Sequence, residues 1–389
     1  MLDKNTSSAI EWIVKQGSLP EKDLTEWSCL ISRSAHATSS NIVEFNLNGI
    51  RLTDSINPIY VLGYLSENSQ ESNNNKSLKV ALVLTQKQKS FMGIKFNLLQ
   101  PISHDHVDMM SILGAEHLND TKSVSFLKKA LKENIKGWCM LSARRLRCIE
   151  PLHKRLISPS YSRKSAYFKL RDGENNGLEM KNIIPKKLLK NIKRFERKIE
   201  KEHLSSLQLI AYSSKDDVNA GLSEFFKLES SGWKGKAGSA IQCDSQLESF
   251  YRDSWRSFAN EGFAKIFVLN SGDRVIASGI AFQTKDEVIL HKIAFDEELS
   301  EYGPGSILVK QIMQNVIDEC LVKTICFNTN PPWLRRWHAQ CYDLVALQIF
   351  NSSLKGSIIK NLFKLVDTLR AIKQNLNKKL KQKRQAKEK

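Results

Sequence analysis

The stretch from Ala264 to Phe350 constrains the fold most. AKIFVLN (264–270), the turn Ser271-Gly272-Asp273 and RVIASGIAFQ (274–283) read as a β-hairpin, and EVILHKIAF (287–295) as a third strand on the same meander. A polar stretch then ends in Tyr302-Gly303-Pro304-Gly305-Ser306 and opens an amphipathic helix, SILVKQIMQNVIDEC (306–320). TICFN (324–328) is the following strand, WLRRWHAQC a short helix, and LVALQIF (344–350) a closing strand. An antiparallel meander entering a glycine turn and then a helix is one way to hold a pyrophosphate. Glycine lets the backbone approach closely, and the first N–H groups of the helix, with its dipole, favour an anion. Pro304 removes one donor but fixes the turn that aims the others.

Upstream, AYFKL (166–170) is strand-like and leads into a basic helix from about Pro185 to Lys201. Leu188, Leu189, Ile192, Phe195 and Ile199 give that helix an apolar side and leave its lysines on the other. LQLIAY (207–212) is a strand. Two helices follow, about Asp216–Ser230 and Asp244–Asn260, the second with Asp244 as its N-cap. The N-terminal part mixes strands and helices. NIVEFNL (41–47), PIYVLGYL (58–65), LKVALVLT (78–85), IKFNLLQ (94–100) and WCML (138–141) read as strands. Val107–Leu113, Val124–Ile135 and the surroundings of Ile10, Ile13 and Val14 have helical spacing. Glu67 to Lys76, with Asn73, Asn74 and Asn75 together, is a hairpin or surface loop. This part carries no phosphate loop and no nucleophile with a partner base.

With 389 residues the chain is long enough for two ordinary domains. No run reaches the ~18 apolar residues that a membrane-spanning helix needs, and the first residues lack the pattern of a signal peptide. The seven cysteines form no CxxC pair and suit reduced, mostly buried thiols in a cytoplasm, Cys139, Cys320 and Cys326 lying in or beside apolar stretches. His104-Asp105-His106, with Asp108, lacks a further ligand at metal-binding spacing, so no metal site is expected. The net charge of +18 is concentrated in Lys186–Lys201 and in Leu354–Lys389, where only Asp367 and Glu388 oppose it. Basic clusters attract nucleic acid, anionic lipid or a phosphorylated cofactor, or serve as solvated helix faces.

Two stretches are similar to one known family. Phe226-Lys227-Leu228-Glu229-Ser230-Ser231-Gly232-Trp233-Lys234-Gly235-Lys236-Ala237-Gly238-Ser239-Ala240 resembles the "LExxxWKGxxGTA" signature of CelD-type (cellulose biosynthesis) acetyltransferases, members of the GNAT superfamily related to Fem-type aminoacyltransferases. His291 to Asp296, followed by Tyr302 to Ser306, resembles that family's strand ending in "AYD" and its "sPGxLL" block. The resemblance covers roughly 160–350 and, more weakly, 30–160. It implies an α/β (α+β) chain of tandem GNAT-like domains, each a mixed, mainly antiparallel sheet flanked by helices. A degenerate first domain would span 1–160 and the acetyltransferase domain 161–351, with a basic amphipathic helix and disordered tail over 352–389. It also implies acetyl-CoA or another acyl-CoA as co-substrate. The family's last block reads "YKxxW"; here Trp333-Leu334-Arg335-Arg336-Trp337 places Leu334 where a lysine is expected. Arg335 or Arg336 is then left to supply the charge, or substrate choice differs, or catalysis is lost.

Acyl transfer to an amine needs a base for its proton, donors for the tetrahedral oxyanion and an acid for the leaving thiolate. Members of the superfamily usually transfer directly, without a covalent enzyme intermediate. The resemblance makes His291, Asp296 and Glu297 candidate bases, and Tyr302 or Ser306 a candidate acid. Backbone groups of Lys292, Ile293 and Ala294, with Gly303, Gly305 and Ser306, would hold the acyl-CoA. Trp233, Lys234, Gly235, Arg335 and Trp337 would shape the acceptor pocket. Each has a structural alternative: His291 a sheet surface, Asp296 a turn cap, Trp233 a core anchor.

The acceptor is expected to be a small molecule or a glycan. A Fem-type transferase using aminoacyl-tRNA is a second reading, and a non-catalytic basic protein gripping nucleic acid or a membrane surface a third. Leu354, Ile358, Ile359, Leu362, Phe363, Leu365, Val366, Leu369 and Ile372, interleaved with lysines, suit a helix lying on an anionic bilayer or packing on its own domain. A transferase acting on an envelope polysaccharide or its lipid-linked precursor would use such a tail, in a cytoplasmic protein peripheral at the inner membrane surface.

Overall fold

A computed structural model of the chain describes residues 10–34, 37–53, 57–66, 76–102, 106, 111–118, 121–147, 163–172, 176–203, 205–320 and 322–387. His104, Asp105, Asp108, most of the Glu67–Lys76 loop and much of Val107–Leu113 lie outside them. In order, the N-terminal elements are β1 (Glu11–Gln16), α1 (Glu21–Arg33), α2 (Val43–Arg51), β2 (Ile59–Ser66), β3 (Lys76–Phe91), β4 (Ile94–Gln100), α3 (Thr121–Asn134), β5 (Trp138–Arg147) and β6 (Arg163–Lys169). A small β7 (Arg171–Asp172) and β8 (Asn176–Gly177) pair, α4 (Met180–Ile183) and α5 (Lys186–His203) lead into the second half. There follow β9 (Leu207–Tyr212), α6 (Val218–Ser231), α7 (Trp233–Lys236), α8 (Ser245–Asn260), β10 (Ala264–Ser271), β11 (Arg274–Gln283), β12 (Glu287–Phe295), α9 (Pro304–Asp318), β13 (Thr324–Phe327), β14 (Gln340–Phe350) and α10 (Leu354–Lys387).

With α7 set aside, β1 to β6 and β9 to β14 with their helices follow one order, β-α-α-β-β-β-α-β-β. The chain is thus a mixed α/β fold with a mostly antiparallel sheet flanked by helices. Its sheet is continuous across both halves, in the order β1-β2-β3-β4-β5-β14-β6-β13-β12-β11-β10-β9. Two neighbouring pairs are parallel, β4 with β5 and β12 with β13, and in each the connection carries a helix, as parallel pairing requires. The last strand of each half crosses over: β14 pairs with β5, and β6 with β13. The sheet of each half is thus continued into the other by exchanged strands.

Helices α1 and α2 of the first half share a core with α6 and α8 of the second. Phe45 stands 5.2 Å from Phe250 and 5.5 Å from Phe258, ring centre to ring centre. The opposite face of the second half is filled by α5 and α9, with Ile192, Ile199, Ile307 and Leu308 buried against Val288 and Leu290. Asp244 caps α8 as its sequence suggests, accepting from the N–H groups of Gln246 and Leu247.

Four local readings are corrected. NIVEFNL is the start of helix α2: Asn46 donates to the carbonyls of Ser40 and Ile42, and Asn46 and Asn48 are buried, where strand alternation had them facing out. Tertiary packing on α8 outweighs the β-branched and aromatic content. The Ile10–Val14 region is strand β1, held in register by β2, because so short an apolar run does not separate the two periods. Helix α10 extends to Lys387, through the tail expected to be disordered. Cys139 and Cys326 are buried, whereas Cys29, Cys243, Cys320 and Cys341 are exposed, against the expectation of mostly buried thiols.

Candidate active site

The parallel ladder between β12 and β13 is short. It pairs Glu287 with Thr324 through Leu290 with Phe327 and stops there. Strand β12 continues to Phe295 with β11 alone as its partner, so a wedge opens beyond Leu290 and Phe327. At its apex the β11–β12 register shifts: Ala281 faces Leu290 and Ile280 faces Lys292, leaving His291 as the extra residue of a bulge. A bulge breaks the alternation of a strand and re-aims its side chains. Here both His291 and Lys292 reach Tyr251 of α8, the imidazole by Nε2 at 3.2 Å from the phenol oxygen and the ammonium at 6.0 Å from the ring centre.

His291 has a second partner across the wedge. Its Nδ1 lies 2.7 Å from the amide nitrogen of Asn328, the residue directly after β13. If that amide donates, the imidazole proton is on Nε2 and is given to Tyr251. The Tyr251 hydroxyl also meets Nδ1 of His106 at 2.8 Å, so the chain Asn328–His291–Tyr251–His106 links the wedge to the N-terminal half. Tyr251 is fully buried among Phe226, Phe250 and Trp255. His291 keeps part of its surface open. Burial among these rings, then the charge of Lys292 and the proximity of His106, hold its pKa well below the ordinary value. Its imidazole is neutral at physiological pH.

The other residues singled out from the sequence have different surroundings. The Asp296 carboxylate accepts from the Glu298 N–H at 3.0 Å, capping the turn, and is paired with Arg274, whose Nε stands 2.8 Å away. Tyr302 lies on the α5–α9 face, across the sheet from Tyr251. Its hydroxyl donates to Glu202, Lys198 stands 4.5 Å over its ring, and the Glu202 bond pushes its pKa up. Leu334 and Trp337 are buried with Phe168 and Phe327 in the same core, so the position where a lysine is expected is a packing position. Arg335 and Arg336 are exposed. The geometry brings His291 and Lys292 together and sets Asp296 and Tyr302 apart from them.

The WKG segment is a rigid corner beside the wedge. Glu229, buried near the end of α6, accepts from Lys234 Nζ at 2.5 Å and from the Ile241 N–H at 2.9 Å. The Lys234 carbonyl in turn accepts from Ser239 and Ala240. Gly235 permits this corner, because a Cβ there would lie 1.7 Å from the Ser230 carbonyl oxygen. Trp233 is exposed, with its N–H donated to Glu297 at 2.7 Å. Glu297, another candidate base, thereby ties the corner to the turn after β12. Sequence reading missed Glu229, Tyr251 and Asn328. Glu229 was signalled only by its place in the motif, Tyr251 by its i,i+4 spacing to Trp255, and Asn328 by following the β13 run.

The wedge and the turn fit an acyl-pantetheine arm. The β13-facing edge of β12 beyond Leu290 has no strand partner, and Gly303 adopts the left-handed conformation (φ 59°) that starts α9. The Gly303 carbonyl accepts from both Ser306 and Ile307 and Pro304 has no N–H, so Gly305 supplies the next first-turn N–H of α9. A Cβ on Gly305 would press on Phe295 at 3.3 Å. The turn's own residues include Glu297, Glu298 and Glu301, with Arg274 paired to Glu298 and Lys198 to Glu301, so the helix dipole and backbone N–H groups are what it offers an anion.

Residues 186–333 match the acetyltransferase (GNAT) domain, a type that typically uses acyl-CoA. The match places the chain among acyltransferases by enzyme class. No curated protein matches the chain. Among solved structures it is similar to FemX, at 8% identity and a TM-score of 0.53, over 91% of this chain and 100% of that one. It also resembles the C-terminal domain (DUF2156) of a putative lysylphosphatidylglycerol synthetase from Agrobacterium fabrum, at 10% identity over 90% and 96% of the two chains with a TM-score of 0.46. A tandem GNAT protein from the clavulanic acid biosynthesis pathway matches at 10% identity and a TM-score of 0.40, over 88% and 99%. At such identities the FemX likeness bears on the fold alone.

Proposed function

We propose that the chain transfers an acyl group, acetyl, from acyl-CoA to an amine or hydroxyl of a glycan or small-molecule acceptor, directly and at the β12–β13 wedge. The observation that carries this reading is the His291–Asn328 contact across the apex, with a neutral imidazole backed by a buried tyrosine. The bound donor supplies the activated thioester carbonyl. The acceptor displaces the Asn328 amide from Nδ1 of His291, and that nitrogen accepts the proton as the acceptor's nitrogen or oxygen bonds to that carbon. The C–S bond breaks to release the thiolate, which takes up a proton. Tyr251, accepting from the Nε2–H, fixes the imidazole's orientation, and the open edge of β12 provides backbone donors for the oxyanion. Lys292 and Ile293 lie on that edge.

The test is acyl-CoA binding and thiol release with amine-bearing and hydroxyl-bearing sugars. His291→Ala is expected to keep donor binding and to lose transfer by about a hundredfold or more. Unchanged turnover in that variant removes His291 from the reaction. Stabilisation of the chain by aminoacyl-tRNA and not by any acyl-CoA would favour the Fem-type donor instead.

Peripheral contact with an anionic membrane through α10 belongs to the same reading. Leu365, Leu369, Ile372 and Leu376 repeat at helical spacing and are all about half exposed, between 51% and 56%. Ile359 is buried against the sheet and Phe363 stacks on Phe91, so the first turns of α10 dock and the rest projects an apolar stripe flanked by Lys364, Arg370 and Lys373.

A further inference from the structure

The first half has its own opening where the second has the wedge. The β4–β5 ladder ends at Leu99 and Leu141, and Pro101 terminates β4. Between these strands and α10 lies a groove of about 470 Å³, floored by Phe96, Leu98 and Met140 and walled by Phe363. Its polar lining includes Lys87, Lys89, Arg144, Arg145 and Arg163, and no carboxylate. Lys87, Lys89, Arg144 and Arg163 form no ion pair among the described residues. None of these five falls in the basic runs that stand out in the sequence.

Two features mark this groove as built. Strand alternation would send Arg144 and Arg145 to opposite faces, yet both line it. The β5–β14 register shifts at this point, Ala143 facing Leu347 and Leu146 facing Val345, so Arg144 and Arg145 together oppose Ala346. Arg145 takes a left-handed conformation (φ 56°) that a non-glycine residue rarely adopts and that costs about 1–3 kcal/mol. The bulge turns two cations into one cavity. Below them the Ser142 hydroxyl, in a residue 7% exposed, is buried without a hydrogen-bond partner among the described residues. A buried hydroxyl of this kind beside Lys87, Arg144 and Arg163 is what a bound anion would satisfy.

We propose that this groove binds a phosphorylated organic molecule, its phosphates held by Lys87, Arg144, Arg163 and Ser142 and its apolar part on Phe96 and Met140. Arg145 and Arg163 also line a second cavity, of about 420 Å³, which reaches Asn328 of the His291 wedge. A ligand lying along both would present its far end to the transfer site, which makes the acyl acceptor a phosphate-bearing one. That identification rests on the His291 wedge being the transfer site; the binding itself does not. Cavities of this size, with an aromatic wall, suit a nucleotide-linked or similar small molecule better than a nucleic-acid duplex.

Isothermal titration of the full chain with UDP and with inorganic pyrophosphate tests the site. Both probes are expected to bind, and the double variant Lys87→Glu, Arg144→Glu to bind about tenfold more weakly or worse, as loss of charge-assisted hydrogen bonds implies. The same variant should still bind acyl-CoA, which reports that it is folded. Ser142→Ala should weaken pyrophosphate binding with its melting temperature kept, and His291→Ala should leave it unchanged. Absence of binding by both probes, equal binding by the double variant, or binding of bulk tRNA that neither probe displaces would overturn the proposal. Failure of the transfer reading would show separately, as undiminished thiol release by His291→Ala.

Discussion

Arg147, at the end of β5, and Glu287, at the start of β12, form a two-pronged buried ion pair that joins the two halves through the middle of the sheet. The guanidinium also lies 4.5 Å over the Tyr342 ring, and Glu287 accepts from the Thr324 hydroxyl at 3.0 Å. Burial works against the charge on Arg147, and the Glu287 carboxylate more than offsets it, so its pKa is raised. The pair sits where the exchanged strands β14 and β6 separate β5 from β13. It therefore fixes how one half meets the other, and with that the distance from the basic groove to the wedge.

Removing one partner should be costly. Arg147→Ala leaves a buried carboxylate and is expected to destabilise the chain by about 3–5 kcal/mol, whereas replacing both partners by apolar residues of similar volume should cost much less. Urea denaturation of the single and double variants measures this. A single variant within ~1 kcal/mol of wild type would mean that water reaches the pair.

The WKG corner offers a second measurement. Gly235→Ala would put a methyl group onto the Ser230 carbonyl, so the chain must shift α7. Glu229→Gln keeps an acceptor for the Ile241 N–H but loses the charge facing Lys234. Gly235→Ala should lower the midpoint temperature by several degrees and weaken acceptor use. Glu229→Gln should cost about 1–3 kcal/mol, the scale of a charged hydrogen bond. A Gly235→Ala chain as stable as wild type would show the corner to be pliable.

Most of the second half was legible because its strands are short period-two runs divided by turn residues, and the hairpin 264–283 and β12 lie where the pattern places them. The site was only partly legible. His291 stands out in an apolar strand, but its partners come from α8 and from just after β13, and Tyr251 in turn meets His106 of the other half. Such long-range meetings have no local signal. The basic groove escaped for the same reason: Lys87, Lys89, Arg144 and Arg163 lie on three strands and look unremarkable one at a time. Asp296 and Trp337, conspicuous as residue types, are a turn cap and a core ring.

The depressed pKa of His291 sets a pH dependence whose sign follows from linkage. The folded state favours the neutral ring, so its contribution to stability is complete above the ordinary histidine pKa of ~6.5 and is lost as pH falls from there towards the folded value. Transfer should likewise persist below pH ~6.5, where an ordinary histidine base would be half protonated. Tyr251→Phe keeps the ring packing but removes the hydroxyl between His291 and His106. It is expected to lower turnover about tenfold or more and to move the acid limb of the pH profile, with a small change in melting temperature. A profile whose acid limb stays in place would show that Tyr251 matters only for packing.

The exposed stripe of α10 gives the last prediction. Apolar side chains at 365, 369, 372 and 376 stay half exposed along a helix that also carries Lys364, Arg370 and Lys373. Apolar burial at an interface and attraction to anionic headgroups act together there, each lysine or arginine near the surface contributing about 1 kcal/mol. In flotation, the full chain should rise with vesicles containing anionic lipid and stay behind with neutral ones. Leu365→Asp with Leu369→Asp should remove the flotation while leaving acyl-CoA binding intact, because α10 docks through Ile359 and Phe363, on the side away from these leucines. If the variant floats as well as wild type, the stripe is not the contact. If neither chain floats but the variant loses self-association in sedimentation, the stripe pairs with a second copy instead.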